Sequence, residues 1–428
     1  MSDGTYTAFS QAIHQRHFGR RMPVEVSIEV TRRCPLECVH CYNNLPVGDR
    51  AARLQELTFD EHCRLLDELV QAGTLWILYT GGEIFARKDF LDIYTEAKKR
   101  GFLITLFTNG TMITPRIADY LAEWRPFVIE ITMYGATRET YEALTQIPGS
   151  YDRCMRGIRL LLERNLPLKL KTVPTTINQN EVYEMKRMAE EEFHCEFKFD
   201  PLINPRIDCS LSPLGVRLTP EEAVGLDFFQ PQRAEEYRKL LERELSGKIT
   251  TTPDDNHRYS CGGGMNGCAI DPNGNMSICV ISHQQDYNIR AKGFREGWEG
   301  RLHDIRNQER TRPSICDRCQ IRSVCSMCPA NGELENGDPE SPVDFLCQVA
   351  HLRAFALGYE VPEHGKCRCC HGGDQETDLL AAARRIQNQR SAPRVHTGKQ
   401  TRAQLLNVLQ PAGACTSGGC GSCASTRA

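Results

Sequence analysis

The chain has 428 residues, with 52 basic against 55 acidic side chains and a formal net charge of −3. That balance gives no electrostatic reason to expect nucleic acid or an anionic membrane surface as a partner. The opening MSDGTYTAFSQAIHQRHFGRR lacks an apolar core of signal-peptide length, and no run approaches the ~18 apolar residues of a membrane span, so a cytoplasmic protein is expected.

Residues 1–21 form an N-terminal extension ahead of the first strand signal, and from about 22 to 205 strand and helix patterns alternate. Val24–Thr31 reads as a strand. Thr58, with Glu61 three positions on, is a capping-box start for a helix with an apolar face of Leu65, Leu66, Leu69 and Val70 and an end at Gly73. Leu75–Thr80 is a short apolar run, like a buried parallel strand. Arg87–Arg100 reads as helix and Leu103–Thr108 as a strand stopped by Asn109-Gly110. Ala118–Trp124 falls in a helix and Phe127–Met133 in a strand. A helix over 150–164, a strand at Leu168–Val173, a helix at Glu181–Glu192 and a strand at Glu196–Phe199 complete the series. Six β–α units in a row predict an α/β fold, either a parallel sheet or an open, partial (β/α)6 barrel. In such folds the chemistry sits at the carboxyl ends of the strands. Cys34–Cys41, Thr80–Glu83, Thr108–Gly110 and Thr132–Gly135 all fall there.

Residues 206–260 read as a bridging segment with a charged helix near 232–246. At 261 the composition turns to Cys, Gly and polar residues with few helical signals. The stretch 261–365 is therefore expected to be a small domain organised by metal rather than by an apolar core. Residues 366–428 form a Cys-containing tail that holds Cys367, Cys369, Cys370, His371, Cys415, Cys420 and Cys423; a disordered segment, a metal-binding one and a fused peptide precursor are the open readings.

Twenty-one cysteines exceed the needs of an ordinary cytosolic enzyme. A secreted disulfide scaffold would be small and carry an export signal, so metal ligation is the better account. Cys63, Cys154, Cys195 and Cys209 stand outside the clusters and are expected to pack as small hydrophobes. Cys34, Cys38 and Cys41 stand in a C-x3-C-x2-C spacing at a strand end. Three thiolates are one short of a closed structural site, and a cubane cluster held by three cysteines keeps one iron open to a ligand.

With His40 before the last of these cysteines, Tyr42 behind it, and Thr80-Gly81-Gly82-Glu83 at the next strand end, residues 24–200 resemble the radical S-adenosylmethionine (SAM) superfamily. The resemblance implies that Cys34, Cys38 and Cys41 hold a SAM-binding [4Fe-4S] cluster and that Thr80, Gly81, Gly82 and Glu83 receive the SAM amino group. Two glycines let backbone approach a ligand closely, and Glu83 can accept from an ammonium. Thr132 is similar to the residue that holds the ribose, and Asn109 would stand behind these contacts. It further implies one-electron cleavage of SAM to a 5′-deoxyadenosyl radical that takes hydrogen from a substrate, with an external electron donor such as flavodoxin or ferredoxin.

Cys261-x12-Gly274-x4-Cys279, then Cys316-x2-Cys319-x5-Cys325-x2-Cys328 and Cys347, resemble the SPASM extension of that superfamily, with a last gap of x2 in place of x3. Cys268 adds an eighth thiol. By the family's pairing, Cys261, Cys268, Cys279 and Cys328 would hold one auxiliary [4Fe-4S] cluster and Cys316, Cys319, Cys325 and Cys347 another, giving three clusters in all; structural zinc is the alternative for such pairs. The resemblance implies a maturase acting on a ribosomally made peptide. A small molecule such as a modified tetrapyrrole is the alternative substrate, and a non-catalytic electron-transfer module the alternative class.

Overall fold

Each of the six apolar runs becomes a parallel strand: β1 Glu25–Thr31, β2 Trp76–Gly81, β3 Leu103–Thr108, β4 Val128–Thr132, β5 Leu168–Thr172 and β6 Glu196–Phe199. The computed structural model describes residues 9, 10, 12, 13, 16, 17, 19–228, 230–246 and 256–359. The expectations placed on the tail 366–428 lie outside them.

The strands pair in chain order, β1 to β6, all parallel. Helices α1 Phe59–Ala72, α2 Phe90–Lys99, α3 Pro115–Glu123 and α4 Ser150–Leu162 run between them. Side chains alternate across a strand, so one face of the sheet presents Val26, Ile28, Ile77, Tyr79, Ile104, Leu106, Ile129, Ile131 and Leu170, all essentially without solvent exposure. Leu65, Leu66 and Leu69 of α1 and Ile93 of α2 share that core. The Thr58–Glu61 capping box forms as predicted, and Gly73 closes α1 in the left-handed region at φ 83°. The helix expected over Arg87–Arg100 starts later, at Phe90, because a 3-10 turn at Ile84–Ala86 comes first. The one expected over Glu181–Glu192 divides into a 3-10 turn, a short α-helix Val182–Arg187 and a π turn.

The cysteine-rich stretch differs from expectation in two ways. First, it joins the sheet: β7 Gly267–Ile270 pairs parallel to the free side of β1, followed antiparallel by β8 Asn275–Ser277 and β9 Tyr287–Asn288. The result is one nine-stranded sheet, ordered β9-β8-β7-β1-β2-β3-β4-β5-β6. Second, it does build apolar core: Ile270, Met276, Ile278, Phe294, Trp298 and Leu302 are buried in the same cluster as Leu57 and Leu69. It also carries helices. After α5 Pro231–Leu245 in the bridging segment come α6 Pro329–Asn336 and α7 Asp344–Ala356.

A buried ion network ties α7 to the bridging segment. Arg353, only 1 % exposed, donates through Nε to Asp227 Oδ2 at 2.6 Å and through Nη1 to the Val324 carbonyl at 2.9 Å. Arg233 Nε takes the other oxygen of Asp227 at 2.9 Å. A buried charge left without its partner is expensive. Asp227→Ala is therefore expected to lower stability by about 3–5 kcal/mol, and adding Arg353→Met should restore much of the loss. Urea unfolding of the two variants checks this; a double variant no more stable than the single one contradicts it.

Candidate active site

The cysteines Cys34, Cys38 and Cys41 lie on the loop that leaves β1, where a two-residue ladder pairs Arg33–Cys34 with Leu45–Pro46. Cys34 Sγ accepts from the Leu36 amide and from Asn109 Nδ2, each at 3.4 Å. Cys38 shares a hydrogen bond with the Tyr134 hydroxyl, and the Asn43 and Asn44 amides point at Cys41. Burial pushes the Cys34 thiol up to about 12, and also raises Cys38 and Cys41; the charges of the three act on one another. Free thiols here stay protonated, so iron must displace protons to bind. Three soft donors ringed by amide N–H groups fit the expected cluster. Among the described residues no three His, Cys, Asp or Glu side chains close in far enough to hold a single metal ion.

Two devices missed at sequence level fix this loop. Glu29, buried between Ile28 and Val30 on β1, accepts from Asn43 Nδ2 at 2.6 Å and Tyr42 Oη at 3.1 Å. Arg206, from the bridging segment, donates through Nη1 to the Cys41 carbonyl at 3.2 Å and Asn44 Oδ1 at 2.8 Å, and through Nη2 to the Asn44 carbonyl at 3.0 Å. The Ile207 amide adds a bond to the Tyr42 carbonyl at 2.9 Å. Glu29 was legible as a charge among apolar neighbours, whereas Arg206 sits in a loop without a motif. The His40 ring packs on Tyr134 at 5.4 Å, and burial lowers its pKa to about 4, which keeps it neutral.

The glycines of Thr80–Glu83 bring strand ends together. A Cβ on Gly81, which stands at φ 137°, would come within 2.1 Å of the Thr31 carbonyl oxygen, and one on Gly82 within 2.4 Å of that of Arg32. The Gly82 and Glu83 amides bond to the Thr31 and Arg33 carbonyls at 2.8 and 3.0 Å. Glu83 departs from the expectation of a free acceptor. Its Oε1 accepts from Thr108 Oγ1 at 2.7 Å and the Phe85 amide at 3.2 Å. Its Oε2 accepts from the same hydroxyl at 2.9 Å and the Asn109 amide at 2.8 Å. Three donors make these four contacts, the single Thr108 hydroxyl proton being shared between the two oxygens, and burial raises Glu83 to about 7. Thr80 lies in register with Glu29 on β1, and Thr132 in register with Lys171 on β5. Asn109 turns its amide to Cys34 and its carbonyl oxygen to Thr111.

The downstream cysteines fall into two groups. Cys279 and Cys328 act electrostatically on each other and with Cys261. Cys325 does the same with Cys316 and Cys319. Cys347 lines a cavity of about 170 Å³ together with Cys261, Cys316, Cys319, Cys325 and Cys328. Burial raises Cys279 and Cys325 to about 11 each. Cys328 stands at the N-cap of α6; burial raises its thiol, and the Asn331 and Ala330 amides beside the sulfur offset part of that rise.

Cys268 is the exception among the eight. It lies on β7 opposite Val26, is buried in the apolar core, and its thiol is raised by burial, with the Arg21 guanidinium acting the other way. The strand's pairing with β1 turns it away from the other thiols, so the first group has three cysteines. Glu333 Oε2 is buried without a hydrogen-bond partner, and Glu333 acts together with Cys279 and Cys328 on Tyr259. Of the cysteines outside the clusters, Cys154 and Cys195 pack in the core as expected and Cys63 is half-buried. Cys209 is instead exposed, at φ 63°, with its sulfur 3.7 Å from His283 Nε2.

Residues 28–191 match the family model described as the radical SAM superfamily. An AdoMet-dependent heme synthase of Methanosarcina barkeri is 25% identical over 348 residues, covering 74% of this chain and 94% of that protein. A PqqA peptide cyclase of Ruegeria pomeroyi is 26% identical over 355 residues, 78% of this chain and 90% of that one. Among solved structures, Streptococcus suis SuiB bound to precursor peptide SuiA shares the fold with a TM-score of 0.60 at 18% identity, covering 81% of this chain and 82% of SuiB. With its thiol trio at the mouth of a parallel sheet, the segment 28–191 of this chain carries a radical SAM domain, and the fold around it is shared with SuiB.

Proposed function

We propose that this enzyme cleaves SAM with one electron from an external donor such as flavodoxin or ferredoxin, and directs the resulting 5′-deoxyadenosyl radical at a hydrogen of a ribosomally made peptide. The observation that carries the proposal is the gathering of Cys34, Cys38, Cys41, Thr80–Glu83 and Asn109 at one strand-end mouth. Cys34, Cys38 and Cys41 would hold the SAM-binding [4Fe-4S] cluster, and Gly81 and Gly82 would leave room for the SAM amino end. Thr132, at the open end of β4, would meet the ribose. The fold shared with a peptide-bound enzyme supports a peptide substrate. A tetrapyrrole is the second reading, supported by a heme synthase covered over 94% of its length and by the lysine pair on the inner sheet face.

For the extension we propose two auxiliary clusters. Cys316, Cys319, Cys325 and Cys347 would close one. Cys261, Cys279 and Cys328 would hold the other, with the orphaned Glu333 carboxylate as candidate fourth donor in place of Cys268.

Three outcomes follow. Cys38→Ala should form no 5′-deoxyadenosine from SAM under anaerobic, reducing conditions, measured by chromatography; retained cleavage overturns the assignment of the active cluster. After reconstitution the full chain should carry about twelve irons, the Cys268→Ala variant the same number, and Cys328→Ala about four fewer. An equal loss in both variants would return Cys268 to the ligand set. Arg206→Met should keep its iron yet cleave SAM about ten- to a hundredfold more slowly, because the loop loses three bonds that orient it; unchanged kinetics would show that Arg206 does not position the site.

A further inference from the structure

We propose that Lys171 and Lys198, on the inner face of the sheet below the SAM mouth, bind a carboxylate of the substrate. This rests on the reading of the barrel as a radical SAM active site. The inner face is the one turned away from the helices; Leu78, Thr105 and Phe107 form its uncharged middle, with Glu25 and Glu29 on the β1 side and the charges of β4 to β6 on the other. Into it project Glu130, Lys171 and Lys198. Glu130 is buried, with Lys198 Nζ at 2.6 Å and Lys171 Nζ at 3.2 Å from its two oxygens. Lys171 Nζ also sits 2.9 Å from the centre of the Phe107 ring.

The charges do not cancel. Within the triad two ammonium groups face one carboxylate, which leaves one positive charge over there; Glu25, on the same face, lines the far side of the cavity described below and touches neither lysine. The neighbouring Lys169 and Glu196 pair with each other at 2.6 Å and contribute nothing net. Other cations near the mouth are committed: Arg32 to Glu29 and Asp271, Arg206 to the cluster loop. Each ammonium has three N–H donors, and Glu130 takes one from each; among the described residues neither lysine hydrogen-bonds to another side chain. Burial pulls Lys171 down to about 8, so holding it charged costs free energy that an incoming anion would offset.

Position gives the pair its role. Lys171 lies in register with Thr132 on one side and Lys198 on the other. Glu130, which both lysines contact, also lines a cavity of about 290 Å³, with Trp76, Leu78, Thr105 and Phe107, on the same face. A substrate reaching from the mouth toward that cavity passes the two ammonium groups. The anion could be a porphyrin propionate or a Glu or Asp side chain of a peptide; the chemistry recognised is the same.

The test uses the reconstituted full chain and two probes: coproporphyrin III, followed by its own fluorescence, and a labelled glutamate-rich peptide against its glutamine counterpart, followed by anisotropy. One carboxylate probe should bind, and which one identifies the source. Lys171→Met and Lys198→Met should each weaken that binding about tenfold, Lys198→Arg should restore it, and Glu130→Gln, which removes the competing anion, should tighten it. A purely structural role for the triad predicts no tightening in Glu130→Gln. Binding of neither probe at millimolar concentration, equal binding of the glutamine peptide, or unchanged affinity in Lys198→Met, whose side chain is 46% exposed and replaceable without loss of fold, overturns the proposal. Dithionite-driven SAM cleavage measured alongside separates the two ideas: if it persists while carboxylate binding fails, only the lysine assignment falls.

Discussion

One buried carboxylate organises the mouth of the barrel. Glu83 sits at the tip of β2 and reaches across to the tip of β3, where Thr108 and the Asn109 amide bind it. Burying such a group without partners would cost several kcal/mol. Held by three donors, it becomes a rigid joint instead, because losing any one of them leaves an oxygen in an apolar setting. The glycines before it press the same strand tip against the segment that enters the cysteine loop. Three strand ends are thus locked together within reach of Cys34, whose sulfur takes a bond from the residue that Glu83 itself holds.

That joint separates two kinds of thiol environment. At the mouth, the cysteines are fixed by the barrel's own backbone and by Arg206 from outside it. In the extension, helix N-termini and turn amides surround the sulfurs while acidic and basic side chains line the space between the groups. Both settings favour thiolate once a cation is present, but only the mouth lies at the carboxyl ends of the strands, where a substrate can enter.

The barrel was readable because its signals are local: β1 to β6 are short apolar runs and α1 announces itself by Thr58, Glu61 and Gly73. The cysteine loop was readable from spacing. What escaped has a common cause. β7, β8 and β9 are two to four residues long, too short for periodicity to register, and β7 meets β1 across a long stretch of sequence. Cys268 looked like a ligand because spacing alone carries no information about which face of a strand a side chain takes. Arg206 and the Lys171–Glu130–Lys198 group depend on tertiary neighbours. Glu83 was found by its motif, whereas the donors that hold it, Thr108 and the Asn109 amide, depend on tertiary neighbours.

The attachment of β7 to β1 has a bearing on how the chain is made. β1 begins as a strand with one neighbour, and its second arrives only after the whole barrel has left the ribosome. Until then the strand that leads into the cysteine loop presents an unpaired edge, the kind of surface that attracts other chains. Contacts between segments so far apart in sequence form late. The extension therefore acts as a closing strip whose arrival ends the exposed phase of synthesis, and the barrel segment expressed without it would be the aggregation-prone half of this protein.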